Sequence, residues 1–185
     1  MNLDLVKQAE NQTEILDLVD EQDRVLGQVV RAEAHQDPKL IHREIGIILV
    51  NSQKQIMLQK RSQYKTVNPS TWSITAGHVP AGQDPSQVAH QELAEELGFD
   101  TELIFLVKRL NTYSWESHFM YYYLGLYNEE PISLSEAEVE KVQLFSQDEL
   151  AKLVASSEKV NPTHLPLFEN FWQGEYQSQL QKLST

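Results

Sequence analysis

Three glutamates on one predicted helix are the residues of this chain best suited to chemistry. At 100° per residue, Glu92, Glu95 and Glu96 would share an arc of roughly 100° on a helix predicted over 85–97. No basic residue stands three or four positions away, so their charges repel one another. A hard divalent ion such as Mg²⁺ binds oxygen ligands of this kind and bridges them to substrate phosphates. The pattern alone also fits a plain acidic, solvated helix face.

Local signals on both sides define the element that carries these glutamates. Asp84 is suited to cap the helix, Pro85 to occupy its first position, and Gly98 to end it. A neighbouring stripe of apolar residues predicts that the helix packs on a sheet, with Ala89, Leu93 and Leu97 as its members. Before it, the pattern predicts a loop over 64–71 and a short strand over 72–76. The expected local architecture is strand, loop and helix.

Apolar and β-branched runs elsewhere predict the remaining elements. The predicted strand pairs are 14–20 with 24–30, 45–50 with 56–59, and 103–113 with 118–127. A further strand is expected over 138–145, a helix from Ser146 to about Ala155, and a last amphipathic helix over 165–183. No repeat or linker divides the chain, which predicts one domain over 1–185 with its core at about 14–155 and an N-terminal hairpin at 14–30.

Composition narrows the classes of function. The 185-residue chain has a formal net charge of −12, which disfavours binding to the nucleic acid backbone. It has no cysteine, so thiol nucleophiles and thiolate metal sites are excluded. Met1–Glu10 lacks the pattern of a signal peptide, and no apolar run approaches the roughly 18 residues of a membrane span. We therefore expect a cytoplasmic protein that uses neither nucleic acid nor membrane as a partner.

The segment around the three glutamates resembles the Nudix box, G-x5-E-x7-R-E-U-x-E-E-x-G-U, where U is aliphatic. The matching positions are Gly77, Glu92, Leu93, Glu95, Glu96, Gly98 and Phe99. Gln83 and Gln91 replace the Glu and Arg that form an ion pair in the family. The resemblance implies an α/β fold, the Nudix α/β/α sandwich with a mixed curved sheet. It also implies a Mg²⁺ or Mn²⁺ site at Glu92, Glu95, Glu96 and Gly77.

Finer features are similar to the branch that contains type I isopentenyl diphosphate isomerase and related bacterial hydrolases. In that branch a His-x6-His pair and the Gly-His of the box contribute to a second metal site. His35, His42 and His78 stand at those positions, and Glu116 stands where the branch has an acidic ligand, followed by His118. Imidazole is the commonest metal ligand, which makes a transition metal the expected occupant. Ordinary surface histidines are the alternative.

The same resemblance names substrate-binding and catalytic candidates. Arg61 and Lys65 match positions that contact diphosphate in the branch, and Lys60 is a neighbouring cation. Glu138 resembles a later glutamate that often joins the metal site or activates water. The candidate catalytic set is therefore Glu95, Glu96 and Glu138, with the choice of general base left open.

The function implied is metal-dependent hydrolysis of a diphosphate linkage in a nucleoside diphosphate derivative or a similar small molecule. Isopentenyl diphosphate isomerisation is a rival, but in the family it depends on a Cys immediately before the Gly-His, where this chain has Ala76. A second rival is a non-catalytic nucleotide-sensing module, which Gln83 and Gln91 would suit. Sequence does not select the leaving group, and family resemblance admits a homodimer.

Overall fold

A computed structural model describes residues 11–183 of the chain. The segment Met1–Glu10, which entered the localisation argument, lies outside the described residues. The strands are β1 (Ile15–Val19), β2 (Val25–Val30), β3 (His42–Val50), β4 (Ile56–Arg61), β5 (Trp72–Ser73), β6 (Thr75–His78), β7 (Leu103–Thr112), β8 (Ser117–Leu126) and β9 (Val139–Phe145). The helices are α1 (Arg31–Ala34), α2 (Pro85–Leu97), α3 (Gln147–Val154), α4 (Leu165–Trp172) and α5 (Gln177–Leu183), with a 3₁₀ turn at Pro162–His164.

The main sheet is mixed and has seven strands. Its order is β5-β4-β3-β8-β7, with β6 also paired to β3 and β9 to β4. The central pair β3–β8 is parallel and the other pairs are antiparallel. The predicted strand over 72–76 is in fact two strands, because Trp72 and Ser73 pair with β4 whereas Thr75 onwards pairs with β3.

Alternation along β3 divides the core between the two faces of the sheet. Ile45, Ile47 and Leu49 pack with the apolar stripe of α2, whose members are Val88, Ala89, Leu93 and Leu97. Ile48 and Val50 point the opposite way and pack against Leu150, Leu167, Phe168 and Phe171 of the C-terminal helices. The result is the predicted sandwich, with helices on both faces of a mixed sheet. Among residues 11–183, no helix is long and apolar enough to cross a membrane.

Helix α2 has the two ends that the sequence predicts. The Asp84 carboxylate accepts hydrogen bonds from the backbone N–H groups of Ser86 and Gln87, at 2.9 and 3.3 Å. Gly98 ends the helix with a left-handed φ of 79°, and an added Cβ there would lie 2.8 Å from the Cβ of Ser133. These caps set the residues at which the helix begins and ends, and the three glutamates lie on one face between them.

The C-terminal helix predicted over 165–183 is wrong as a single element. It is two helices, α4 and α5, separated by Gln173–Tyr176. Gly174 has a φ of 86° in this break, a conformation that disrupts a right-handed helix. Helix α1 was not predicted from the sequence, because it is only four residues long and has no side-chain cap.

Asp23, in the turn between β1 and β2, links this N-terminal hairpin to the main sheet through hydrogen bonds. Its buried carboxylate accepts hydrogen bonds from Arg43 Nε at 2.6 Å, from Lys108 Nζ at 2.6 Å and from the Tyr121 hydroxyl. Arg43 also reaches Asp17 on β1, at 3.3 Å. Because α1 follows directly after β2, this network also sets where α1 meets the sheet.

Candidate functional site

The acidic face of α2 lies at one wall of a cavity of about 510 Å³. Glu92 and Glu95 line this cavity together with Glu138, which immediately precedes β9. Glu96 belongs to the same helix face but is 2% exposed, so the alternative of a plain solvated acidic face does not hold at this position. Its carboxylate accepts a hydrogen bond from Gln59 Nε2 at 2.8 Å, and Gln59 in turn accepts from the Thr75 hydroxyl at 3.2 Å.

Glu92 reaches across to β6 and lies against the backbone of Gly77. A Cβ added at Gly77 would lie 2.8 Å from the Glu92 Cγ and closer still to its carboxylate. The glycine is therefore a packing requirement, because only a residue without a side chain leaves room for this carboxylate. Gly77 and Glu92, which stand fifteen positions apart in the predicted box, are direct neighbours.

Burial and mutual repulsion raise the pKa values of these acids. Burial, followed by the carboxylates of Glu96, Glu138 and Glu95, raises the pKa of Glu92 well above its ordinary value. Burial and then Glu138 raise the pKa of Glu96 to about 7, although the hydrogen bond from Gln59 opposes this shift. Such a crowded set of acids is stabilised by a cation, and its all-oxygen donors fit Mg²⁺ or Mn²⁺.

Two of the three predicted substrate-binding cations line the cavity, and the third does not. Lys65 donates to Glu138 Oε2 at 2.5 Å and lines the cavity, as Arg61 also does. Lys60 does not line the cavity and pairs instead with Glu158 at 2.9 Å. The reason is strand alternation, which turns Lys60 to the opposite face from Arg61. Its assignment to substrate binding stays a prediction that this position does not favour.

Arg31 is a cavity cation that the sequence analysis missed. Its Nη1 lies 3.4 Å from Glu14 Oε2, while its buried Nε has no hydrogen-bond partner among residues 11–183. The residue opens α1 and lines the same cavity as Arg61 and Glu92. A guanidinium with an unused donor is suited to phosphate oxygens.

The predicted histidines meet in a second cluster on the same cavity. The Nε2 atoms of His35 and His78 are 2.8 Å apart, the spacing of two neighbouring ligands that each lie about 2.1 Å from one ion. His42 joins them from β3, with its ring 5.4 Å from that of His78. Glu116 Oε2 lies 3.5 Å from His35 Nε2. The structure thus brings together all four residues of the predicted second site.

Two further members of this cluster, Glu44 and His118, complete it. Glu44 Oε1 lies 3.1 Å from His78 Nε2, and His118 Nδ1 lies 3.6 Å from Glu44 Oε1. The period of two along β3 puts Glu44 on the face of His42, which is the signal the sequence offered. His118 faces His42 because β3 and β8 pair in parallel with these two residues in register.

Buried nitrogen atoms point into this cluster. His42 Nδ1 approaches the Leu40 carbonyl at 3.4 Å, while its Nε2 is buried without a hydrogen-bond partner in the described range 11–183, and so is His118 Nδ1. A hydrogen bond from one ring nitrogen to a carbonyl leaves the other as a lone-pair donor, which is how second-shell groups prepare metal ligands. Burial lowers the pKa of His78 to about 3 and also lowers that of His118, which favours the neutral, ligating form. His42 Nε2 and His118 Nδ1 are therefore suited to bind a transition metal.

The two glutamines at the positions of the family's ion pair do not bind each other. Gln83 and Gln91 are both exposed, and no hydrogen bond joins their side chains among the residues described. The loop before α2 is held instead by backbone contacts, including Gln83 N–H to the Pro80 carbonyl at 3.0 Å and Gly82 N–H to Asp17 Oδ2 at 3.1 Å. The departure at these positions leaves the helix and its glutamates in place.

Comparisons with known proteins agree with this geometry. Residues 40–171 match the NUDIX domain. An isopentenyl-diphosphate Delta-isomerase of Pectobacterium atrosepticum is 33% identical over 146 residues, covering 76% of this chain and 80% of the relative. An uncharacterized Nudix hydrolase of Pseudomonas aeruginosa is 40% identical over 95 residues, covering 51% of this chain and 56% of the relative.

The chain spans about half the length of an isopentenyl-diphosphate Delta-isomerase from Nocardia farcinica, with 48% of that relative covered. Among solved structures, protein DR0079 of Deinococcus radiodurans has a TM-score of 0.72 at 22% identity, covering 86% of this chain and 99% of the other. At this level of identity the structural match establishes the fold.

Proposed function

The chain belongs to the Nudix family, and from that premise we propose that it is a metal-dependent hydrolase of diphosphate linkages in small molecules. The observation that carries the proposal is the group of four carboxylates of Glu92, Glu95, Glu96 and Glu138 beside the Gly77 backbone. These acids repel one another and would be balanced by Mg²⁺ or Mn²⁺. The bound ion would supply Lewis-acid polarisation of the phosphorus centre and charge neutralisation.

The protein groups around this centre have separable tasks. Glu92 and Glu96 are held in place, the former by Gly77 and the latter by Gln59. Glu138 is engaged by Lys65. Glu95 is exposed and lines the cavity, which favours it as the base that takes a proton from attacking water. Glu96 and Glu138 are the alternative bases.

Three cations of the cavity are suited to bind the diphosphate. Arg61 is the last residue of β4, Lys65 lies in the segment after it, and Arg31 is the first residue of α1. Arg binds phosphate oxygens through paired N–H donors, whereas Lys adds a point charge. The cavity volume of about 510 Å³ is that of a small-molecule site. We therefore propose a nucleoside diphosphate derivative or a similar small diphosphate as substrate.

The histidine cluster is proposed as a second, transition-metal site. His35, His42, His78 and Glu116, joined by Glu44 and His118, would hold Mn²⁺, Zn²⁺, Co²⁺ or Ni²⁺ rather than Mg²⁺, because imidazole binds transition ions more tightly. The cluster opens on the same cavity as the carboxylates. A cytoplasmic location and a homodimer remain predictions, the first from the lack of cysteine and the second from the family resemblance.

Isopentenyl diphosphate isomerisation is the second candidate, because several relatives carry that name. Ala76 argues against it. This residue lines the cavity immediately before Gly77, where the isomerases of the family require a thiol. Alanine can neither donate nor accept the proton that the isomerisation moves.

A substrate panel separates these functions. The wild-type chain is incubated with nucleoside diphosphate derivatives and with isopentenyl diphosphate, each with Mg²⁺, with Mn²⁺ and with chelator, and the products are followed by ³¹P and ¹H NMR. We expect metal-dependent cleavage of at least one diphosphate, and its loss in Glu95→Gln. Glu102→Gln, which removes an exposed acid beyond the helix, is the matched control. Binding without cleavage of any compound would favour the non-catalytic module.

A further inference from the structure

Trp115 is an exposed aromatic side chain at the wall of the cavity. The residue lies in the turn between β7 and β8 and lines the same cavity as Arg61 and Lys65. It is 52% exposed, although tryptophan side chains are on average largely buried. The proposed hydrolysis makes no use of this residue. An apolar ring at the wall of a phosphate-binding cavity is suited to contact the part of a substrate that is not phosphate.

Tyr113 holds the Trp115 ring in a defined orientation. The two ring centroids are 5.3 Å apart and the ring planes differ by 13°, which is an offset stack. The Tyr113 hydroxyl shares a hydrogen bond of 3.0 Å with the Thr163 hydroxyl, and the Tyr113 N–H donates to the Glu116 carbonyl at 2.8 Å across the turn. Tyr113 covers one face of the Trp115 ring, so a planar group can stack on the other. A platform already held in place loses little conformational freedom on binding.

Polar groups beside this aromatic pair suit a heterocyclic base better than a hydrocarbon. Asn161 lines the cavity, and its Oδ1 accepts a hydrogen bond from the Thr163 N–H at 3.0 Å, while its Nδ2 lies 3.3 Å from His164 Nε2. A carboxamide has two N–H donors and two acceptor positions, so one of each remains after these contacts. A hydrocarbon would leave both unpaired, whereas a base has ring nitrogens and exocyclic groups that can pair with them.

We propose that Trp115 is a specificity-determining residue that stacks on an aromatic base of the substrate, while Asn161 hydrogen-bonds the edge of that base. Arg61 and Lys65 would hold the diphosphate of the same molecule. The substrate class is then a nucleoside diphosphate derivative, and isopentenyl diphosphate, which has no ring to stack, is disfavoured. The assignment of this base to a substrate rests on the proposed hydrolase function, whereas binding of the base does not require hydrolysis.

The first test measures binding without turnover. Affinities are measured by calorimetry in Mg²⁺ for adenosine and uridine 5′-(α,β-methylene)diphosphate, whose P–C–P bridge resists hydrolysis. The methyl and isopentenyl esters of methylenediphosphonate are the matched ligands without a base. The proteins are wild type, Trp115→Ala, Trp115→Phe and the control Phe105→Ala, which removes an exposed aromatic ring of the same hairpin that does not line the cavity.

Trp115→Ala should weaken binding of the nucleoside ligands by about 5- to 150-fold, the range typical of a base stacked on an aromatic side chain. Trp115→Phe should retain most of the affinity, Phe105→Ala should retain all of it, and the methyl ester should bind all four proteins equally. Unchanged nucleoside affinity in Trp115→Ala would overturn the proposal. An equal loss for the methyl or the isopentenyl ester would also overturn it, because the lost contact would then not depend on a base.

The second test concerns the edge of the base. Asn161→Ser keeps an oxygen that can accept from the Thr163 N–H but removes the amide, and Asn170→Ser on α4 is the matched control away from the cavity. Asn161→Ser should weaken binding of the nucleoside ligands by about 2- to 10-fold, the range of one net hydrogen bond. Asn170→Ser should leave it unchanged. Equal nucleoside affinity in the two variants would overturn the role of Asn161.

Kinetics on a hydrolysed nucleoside diphosphate derivative separate this proposal from the proposed function. Trp115→Ala should raise KM and retain kcat, because it removes a contact made equally in the ground state and the transition state. If wild type hydrolyses no diphosphate but binds the nucleoside ligands in a Trp115-dependent way, the proposed function fails and the base site stands. If wild type hydrolyses a diphosphate and Trp115→Ala leaves its KM unchanged, the base site fails and the function stands.

Discussion

Replacing Gly77 with Ala tests the close contact between the Gly77 backbone and the Glu92 side chain, on which the proposed metal site depends. The added Cβ would lie 2.8 Å from the Glu92 Cγ, whereas ordinary contacts begin at 3.4 Å, and it would lie closer still to the carboxylate. The carboxylate must therefore retreat by about 1 Å, a displacement that can reduce turnover about 100-fold, or by about 2.7 kcal/mol of activation free energy. The fold should persist, because the displaced atoms are the flexible end of one side chain.

The assay measures kcat for the best diphosphate of the panel, the Mg²⁺ activation constant and the melting temperature. Gly27→Ala is the matched control, because no atom lies within 4 Å of its added Cβ. We expect Gly77→Ala to lose turnover and metal activation while melting near wild type. Wild-type kcat and metal activation in Gly77→Ala would refute the requirement for Glu92 against the Gly77 backbone.

Three other measurements test separate parts of the structure. The folded-state pKa of Glu96 is raised from 4.5 to about 7, so its ionisation destabilises metal-free protein as pH rises through this range. In urea melts with chelator, Glu96→Gln should therefore gain stability over wild type between pH 4.5 and 7, by up to about 3 kcal/mol, and added Mg²⁺ should cancel that gain. Wild type should convert no isopentenyl diphosphate to dimethylallyl diphosphate by NMR, because Ala76 cannot move a proton. Asp23→Ala should lower the free energy of unfolding by about 1–3 kcal/mol, because it leaves the partly buried Arg43 without this carboxylate.

Each of these three predictions can be contradicted by a specific result. A pH-independent difference between Glu96→Gln and wild type would show that this carboxyl is not held at a raised pKa. Isomerisation well above a metal-only control would reverse the ranking of the two activities. If Asp23→Ala lowers the free energy of unfolding by less than about 1 kcal/mol, the contacts of Asp23 stabilise the fold no more than surface ion pairs do.

Features fixed by local chemistry were predictable from sequence. Helix α2 has the predicted bounds, because its cap residues Asp84 and Gly98 act on their immediate neighbours. The helical period likewise put Glu92, Glu95 and Glu96 on one face. Local rules did not show that Glu96 turns inward to Gln59, because that contact depends on how the helix sits on β4.

Features that depend on pairing between distant strands were missed. Glu44 was missed although the period of two along β3 puts it on the face of His42. His118 was named only beside Glu116, and it lies opposite His42 because β3 and β8 pair in parallel. No local pattern specifies that register. Lys60 was assigned to the substrate because it is near Arg61 in sequence, but the strand turns adjacent side chains to opposite faces. Arg31 was missed because its position depends on a four-residue helix with no cap.

In the proposed mechanism, the carboxylates of α2 hold the metal ion on which hydrolysis depends. The most direct measurement is Mg²⁺ affinity and diphosphate turnover on the same preparations of wild type, Glu95→Gln and Glu102→Gln. Glu95→Gln should lose both Mg²⁺ affinity and turnover, while Glu102→Gln should retain both. Wild-type turnover and Mg²⁺ affinity in Glu95→Gln would contradict it.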